Sequence, residues 1–122
     1  MAATTTATFQ GSILGGDNGD KTIGPVSYSN TTGCPYVQYI VLQAGANTIT
    51  PPTAPAPTGC LIKLPSSNTS VVTLKGASGD TGIAIGKTTG TVLHWDKTAV
   101  PASFVLSSVS TQTGLYTEIH YF

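Results

Sequence analysis

The stretch "SGDTGIAIG", residues 78–86, decides between two folds. Asp-Thr-Gly is the triplet that presents the catalytic carboxylate in aspartic proteases, and a chain of 122 residues with one such triplet has the size of a protease that works as a homodimer. The flanking residues point elsewhere. A dyad of carboxylates sharing one proton needs a buried, symmetric setting, and an apolar strand leading into the triplet would supply it. Here the lead-in is "KGASG", residues 75–79, polar and glycine-rich. Gly76, Gly79 and Gly82 suit a tight connection, and the Asp80 carboxylate can accept local backbone N–H groups. The triplet therefore reads as a turn between two strands.

Working outward, the same rhythm covers the chain. Only 8% of residues are charged, against about 25% in an ordinary domain. Thr occurs 21 times and Ser 11 times, beside 14 Gly and 8 Pro. Thr, Val, Ile and Tyr favour strands, while Gly, Pro, Asn and Ser make turns. Strands are expected at 6–14, 22–29, 36–43, 60–64, 70–75, 82–85, 91–95, 103–109 and 115–121, separated by "GGDNGD", "NTTGCP", "PSSN", "GASGD", "GKTTG", "DKTAVPA" and "STQTG". No segment sustains a helical period. The fold class is all-β: an antiparallel two-sheet β-sandwich, jelly-roll-like, with about eight to nine strands.

Two segments break the rhythm. Residues 1–12, "MAATTTATFQGS", are Thr-rich and uncharged and read as an extended arm or an edge strand, ahead of a single sandwich domain at 13–122. "TPPTAPAPTG", residues 50–59, carries four prolines and reads as an extended surface loop. Thr4, Thr5 and Thr6 of the arm and Pro51, Pro52, Pro55 and Pro57 of the loop are the candidate contacts to other subunits. The competing reading of the loop is a passive crossover between sheets.

Candidate chemistry is sparse. His94 and Asp96 share one face of a strand, as do Glu118 and His120. Pairing of these two strands would gather four donors fit for zinc, but nothing fixes that register, and solvent-face positions are the simpler reading. Asp17, Asn18 and Asp20 are calcium-type oxygen donors without EF-hand spacing, so they too read as a turn. No G-x-S-x-G or phosphate-binding loop occurs, and neither cysteine has a context that lowers its pKa. No catalytic, cofactor or metal residue is assigned, and no enzymatic activity is expected. Cys34 and Cys60 read as reduced, buried thiols, with a disulfide left open. Asn30 and Asn68 stand in glycosylation-type triplets that read as turns. Trp95, between His94 and Asp96, reads as a core anchor rather than a sugar-stacking platform.

All five cations are Lys, and the formal net charge is zero. A basic face for nucleic acid cannot be built from them. The opening residues resemble no signal peptide, and the longest apolar run, "YVQYIVL", residues 36–42, is too short to span a membrane. Synthesis in the cytoplasm as a soluble chain is expected, with neither membrane nor nucleic acid as a partner.

From residue 42 to residue 108, "LQAGANTITPPTAPAPTGCLIKLPSSNTSVVTLKGASGDTGIAIGKTTGTVLHWDKTAVPASFVLSS" resembles small structural proteins of tailed bacteriophages in its order of turns and strands. The Ala-Gly-Ala-Asn turn, the Pro-rich crossover, "PSSNTS" and the strand "SFVLSS" carry the likeness. The resemblance implies a jelly-roll-like sandwich located in the virion, often trimeric, without catalytic residues. On that basis the expected function is head decoration (a cement protein), with itself and the major capsid protein or other virion proteins as partners. The alternatives are a tail or fibre component with a receptor- or carbohydrate-binding role, and a stand-alone carbohydrate-binding module.

Overall fold

The computed structural model describes residues 4–15, 19–31, 36–96 and 98–122. The described residues form ten strands and no helix: β1 (Thr5–Ile13), β2 (Lys21–Asn30), β3 (Val37–Ile40), β4 (Gly45–Ile49), β5 (Gly59–Lys63), β6 (Val72–Lys75), β7 (Ile83–Ile85), β8 (Gly90–His94), β9 (Phe104–Ser108) and β10 (Thr117–Tyr121). Strands β3 to β10 make two four-stranded antiparallel sheets, ordered β3-β10-β5-β8 and β4-β9-β6-β7. The pairs β3·β10, β4·β9, β5·β8 and β6·β7 are nested one inside the next. A long ribbon folded at β6–β7 and rolled so that successive pairs alternate between sheets gives this order, which is the connectivity of an eight-stranded jelly roll.

Side-chain alternation explains which face of each strand is inside. Thr117, Ile119 and Tyr121 of β10 are buried, while Glu118 and His120 between them are part-exposed. The same period puts Cys60 and Ile62 of β5 inward. Leu42, Ile49, Val72, Phe104 and Leu106 complete the apolar core between the sheets. Alternation of this kind is what a half-buried antiparallel strand requires.

The expected fold class holds. The strand total exceeds the expected eight to nine because β4 lies where a turn was read. In "QAGAN", the strand already begins at Gly45, which takes φ +95°. Asn47 is then the first inward side chain of β4, buried among backbone groups. Its Nδ2 donates to the carbonyls of Gln43 (2.9 Å), Gly45 (3.1 Å) and Leu106 (3.0 Å), and its Oδ1 accepts from Gln43 N (2.9 Å). A buried amide so fully bonded ties the turn to β9.

The first 30 residues add a separate two-stranded sheet. β1 and β2 pair antiparallel from Thr5↔Asn30 to Ile13↔Lys21. The arm expected at 1–12 thus enters β1 of a hairpin, and the 12/13 boundary falls within that strand. The register slips between Phe9 and Gly11, opposite Gly24 (φ +83°) and Pro25, which is a β-bulge that bends the ribbon. One face carries hydroxyls in cross-strand contact, Thr6 to Ser29 at 3.4 Å and Thr8 to Ser27 at 3.0 Å. The other carries Phe9, Val26 and Tyr28.

Two substitutions test this account. Gly82 sits at φ +73°, and a Cβ there would lie 2.5 Å from the Leu74 carbonyl oxygen. Gly82→Ala is expected to cost about 1–3 kcal/mol of stability. Asn47→Ala strands buried backbone groups and is expected to cost about 2–3 kcal/mol. Urea unfolding followed by Trp95 fluorescence reads both; wild-type midpoints would refute the assigned geometry.

Candidate functional site

Asp80 closes the β6–β7 turn. Its Oδ2 accepts from Ala77 N at 2.7 Å, and its own N–H donates to the Ala77 carbonyl at 3.1 Å. The carboxylate is exposed and engaged with its own loop, as the turn reading requires. The aromatic contacts among the described residues gather instead mostly where the β1–β2 ribbon meets the sandwich.

That junction is built from four rings. Tyr28 of β2 stacks on His94 of β8 with centroids 4.1 Å apart, and on Phe122 at 5.8 Å. Phe9 of β1 meets Phe122 at 5.8 Å and Tyr28 at 6.0 Å. Phe122 is held by backbone: its carbonyl accepts from Thr58 N (2.6 Å) and Gly59 N (3.2 Å), and its N–H donates to the Gly59 carbonyl (3.1 Å). Gly59 makes this possible, because a Cβ there would fall 2.7 Å from the Phe122 ring and 2.4 Å from the Leu93 carbonyl.

Two grooves flank the junction. An apolar one of about 320 Å³ runs between Phe9, Ile23, Val26, Tyr28 and Val92. A polar one of about 370 Å³ is lined by Ser29, Thr58, His94, Trp95 and Asp96. Trp95 packs part-buried against the core and donates Nε1–H to the Pro57 carbonyl at 2.9 Å. The Asp96 Oδ1 accepts from the N–H (2.8 Å) and hydroxyl (2.6 Å) of Thr98.

The candidate subunit contacts are placed as follows. Thr4 and Thr6 are exposed, and Thr5 is part-buried. Pro51 and Pro57 are buried within the chain, Pro52 is part-buried and Pro55 is exposed. The loop's buried end is tied inward, with the Asn30 Nδ2 donating to the Ala56 carbonyl at 3.0 Å. Of the four prolines, only Pro55 and part of Pro52 present surface to another molecule.

The two His-carboxylate pairs do not meet. β5 lies between β8 and β10, so the strands carrying them sit about 10 Å apart. Glu118 instead faces Lys63 at 3.8 Å and His120 at 4.0 Å on the outer face. Among the described residues no group of three or more His, Cys, Asp or Glu is poised for a metal. Asp17 and Asn18 lie outside the described residues; Asp20 accepts from Gly15 N at 2.9 Å. Asn68, buried like Asn30, spends its amide on the carbonyls of Ser70 (3.0 Å) and Lys87 (2.7 Å) and accepts from Gln112 Nε2 (2.8 Å). Neither amide is presented to a glycosylating enzyme. Among the described residues, no helix is long and apolar enough to cross a membrane.

Cys60 is a free, fully buried thiol, and Cys34 lies outside the described residues. Burial away from water disfavours the thiolate and pushes the Cys60 pKa from its ordinary 9.0 up to about 12. Such a thiol is neither a nucleophile nor a ready metal ligand.

The sequence reading missed Tyr28 and Phe122 as the ribbon's anchors. The usable signal was the in-register apolar face of β1 and β2, but Thr-rich strands hide that face. No protein family, curated protein or solved structure matches the chain.

The Cys60 environment makes a pH prediction. The folded thiol keeps its proton where the unfolded one loses it. Stability from this group is complete below pH 9.0 and is lost as pH rises toward about 12. The slope is at most about 1.4 kcal/mol per pH unit. Alkaline unfolding curves of wild type and Cys60→Ala should converge across that window. Rapid alkylation of the native thiol at neutral pH would contradict its burial.

Proposed function

We propose that this chain is a non-enzymatic virion structural protein, a decoration protein that binds the surface of an assembled phage head as an oligomer. The observation that carries the reading is the jelly-roll order of eight strands joined to a two-stranded ribbon whose one charged strand residue is Lys21. Jelly rolls recur in viral capsid proteins, and they also occur in lectins and cupins, so the fold gives an analogy and not an activity. The order of turns and strands that resembles small phage structural proteins supports the same choice. Surface chemistry agrees: ten charged residues in 122 suit a molecule whose faces meet others. Repetition around a symmetric shell lets modest contacts sum to firm attachment.

Co-sedimentation with expanded heads and with unassembled coat subunits of the same virus tests the proposal. Saturable binding to heads alone is expected. Binding to neither would refute it.

The polar groove favours a second reading, a tail or fibre component that binds carbohydrate. Trp95 and His94 offer ring surface, and Ser29, Thr58 and Asp96 offer hydrogen-bonding groups beside it. If this reading holds, calorimetry should detect binding of surface polysaccharide that His94→Ala weakens at least about tenfold. The Tyr28–His94 stack makes His94 the exposed wall of that groove, whereas Trp95 also serves the core.

A further inference from the structure

The β1–β2 ribbon is longer than its support. Phe9 and Tyr28 are seated on Phe122 and His94, but the distal half beyond them is not covered. Ile13 is 51% exposed, Leu14 72% and Ile23 50%, and Ile23 lines the apolar groove together with Val26 and Val92. An isolated two-stranded ribbon is marginal in water and needs a third layer against its apolar face.

Three further observations identify what supplies that layer. The chain exposes 7168 Å², where a compact monomer of 12.4 kDa exposes about 6,100 Å². The surplus of about 1,000 Å² matches the roughly 800 Å² that each partner gives to a standard interface. Charge is the second. Among the first 62 residues, Asp17, Asp20 and Lys21 alone are charged, and within β1 and β2 the one charge is Lys21, paired with Ile13 at the end of the register. Depletion of charge at the centre of a patch marks interface cores. A partner of opposite charge has only Lys21, at one end of this face, to recognise, whereas another surface of the same uncharged kind meets Ile23 and Val26. The third is the edge. Among the described residues β1 has no strand neighbour but β2, and Thr5–Ile13 holds no charge and no proline. Monomeric proteins guard such edges with charges, prolines or bulges, since a bare edge pairs with other copies. β2 carries Gly24 and Pro25 in its bulge, so β1 is the smoother edge.

We propose that the distal half of the β1–β2 ribbon is a self-association surface, occupied by a second copy of this chain, with Ile13, Ile23 and Val26 at its centre. This deepens the reading of the chain as an assembly component and rests on it. The two fail separately, because head binding is scored on capsids and self-association in their absence.

Sedimentation of the full chain over a wide concentration range tests the proposal. Wild type is expected to associate reversibly. Ile13→Asp and Ile23→Asp should each weaken association at least about tenfold, since a charge would be buried at the contact. Ile83→Asp, at a 71% exposed position of β7 in the other sheet, should leave association unchanged. Trp95 fluorescence checks that each variant remains folded. Amide exchange of wild-type β1 supplies a readout that needs no variant: protection should rise with protein concentration. A wild type that stays monomeric, association indifferent to both ribbon substitutions, equal loss in Ile83→Asp, or concentration-independent β1 exchange would each overturn the assignment.

Discussion

The sandwich depends on β10 entering between β3 and β5. Ile119 is fully buried and sits in register with Gln38 on one side and Ile62 on the other. Without it the first sheet separates into β3 alone and the β5·β8 pair, and the inner faces of Cys60 and Ile62 lose their neighbour. β9 does the same for the second sheet, lying between β4 and β6. Both closing strands come from the last fifth of the sequence, so both four-stranded sheets are completed by pairing between distant segments. Nested long-range pairing pays loop-closure entropy before any core contact repays it, which makes this a slow and strongly cooperative architecture by topology.

Attachment of the ribbon follows from the same closure. Phe122 directly continues β10, and its exchange of hydrogen bonds with Gly59 extends the β10·β5 ladder by one residue. The ring thereby becomes a fixed platform for Phe9 and Tyr28. The glycine at 59 is part of that platform, since its missing Cβ is the space the ring occupies. The Pro-rich segment is recruited as well, through Asn30 to Ala56 and Trp95 to Pro57. What reads in sequence as a free loop is a strap between the ribbon and β8.

The strands of the sandwich were legible because their chemistry repeats with period two and their turns are spelled out in Gly, Asn, Asp and Ser. Asp80 is the clearest example: the polar lead-in that argued against a buried dyad is the turn seen in the structure. β4 was hidden because Asn47, a turn residue by composition, spends its side chain on four hydrogen bonds to the backbone. The pairing of β1 with β2 was hidden because Thr and Ser alternate with few apolar residues, leaving no period to read. Sheet order lay beyond the sequence altogether, and it alone decides that β5 separates His94 from Glu118 and His120. The aromatic junction is legible only afterwards, since Tyr28, His94 and Phe122 are far apart along the chain.

Charge placement links the fold to its surroundings. Of the ten charged side chains, seven follow residue 62 and three, Asp17, Asp20 and Lys21, fall within residues 17–21. Residues 22–62, which include β3, β4, most of β5 and all of β2 but Lys21, carry none. For strands with one face on the core, such depletion would leave the outer face dependent on hydroxyls for its hydration. The Thr–Ser contacts on the outer ribbon face meet that need locally. The opposite ribbon face sets Ile13, Ile23 and Val26 in water with Lys21, the cross-strand partner of Ile13, as its one charged side chain. A single chain thus solves its hydration problem on one side of the ribbon and leaves it unsolved on the other. Burial of that second face removes the cost without altering any strand of the jelly roll.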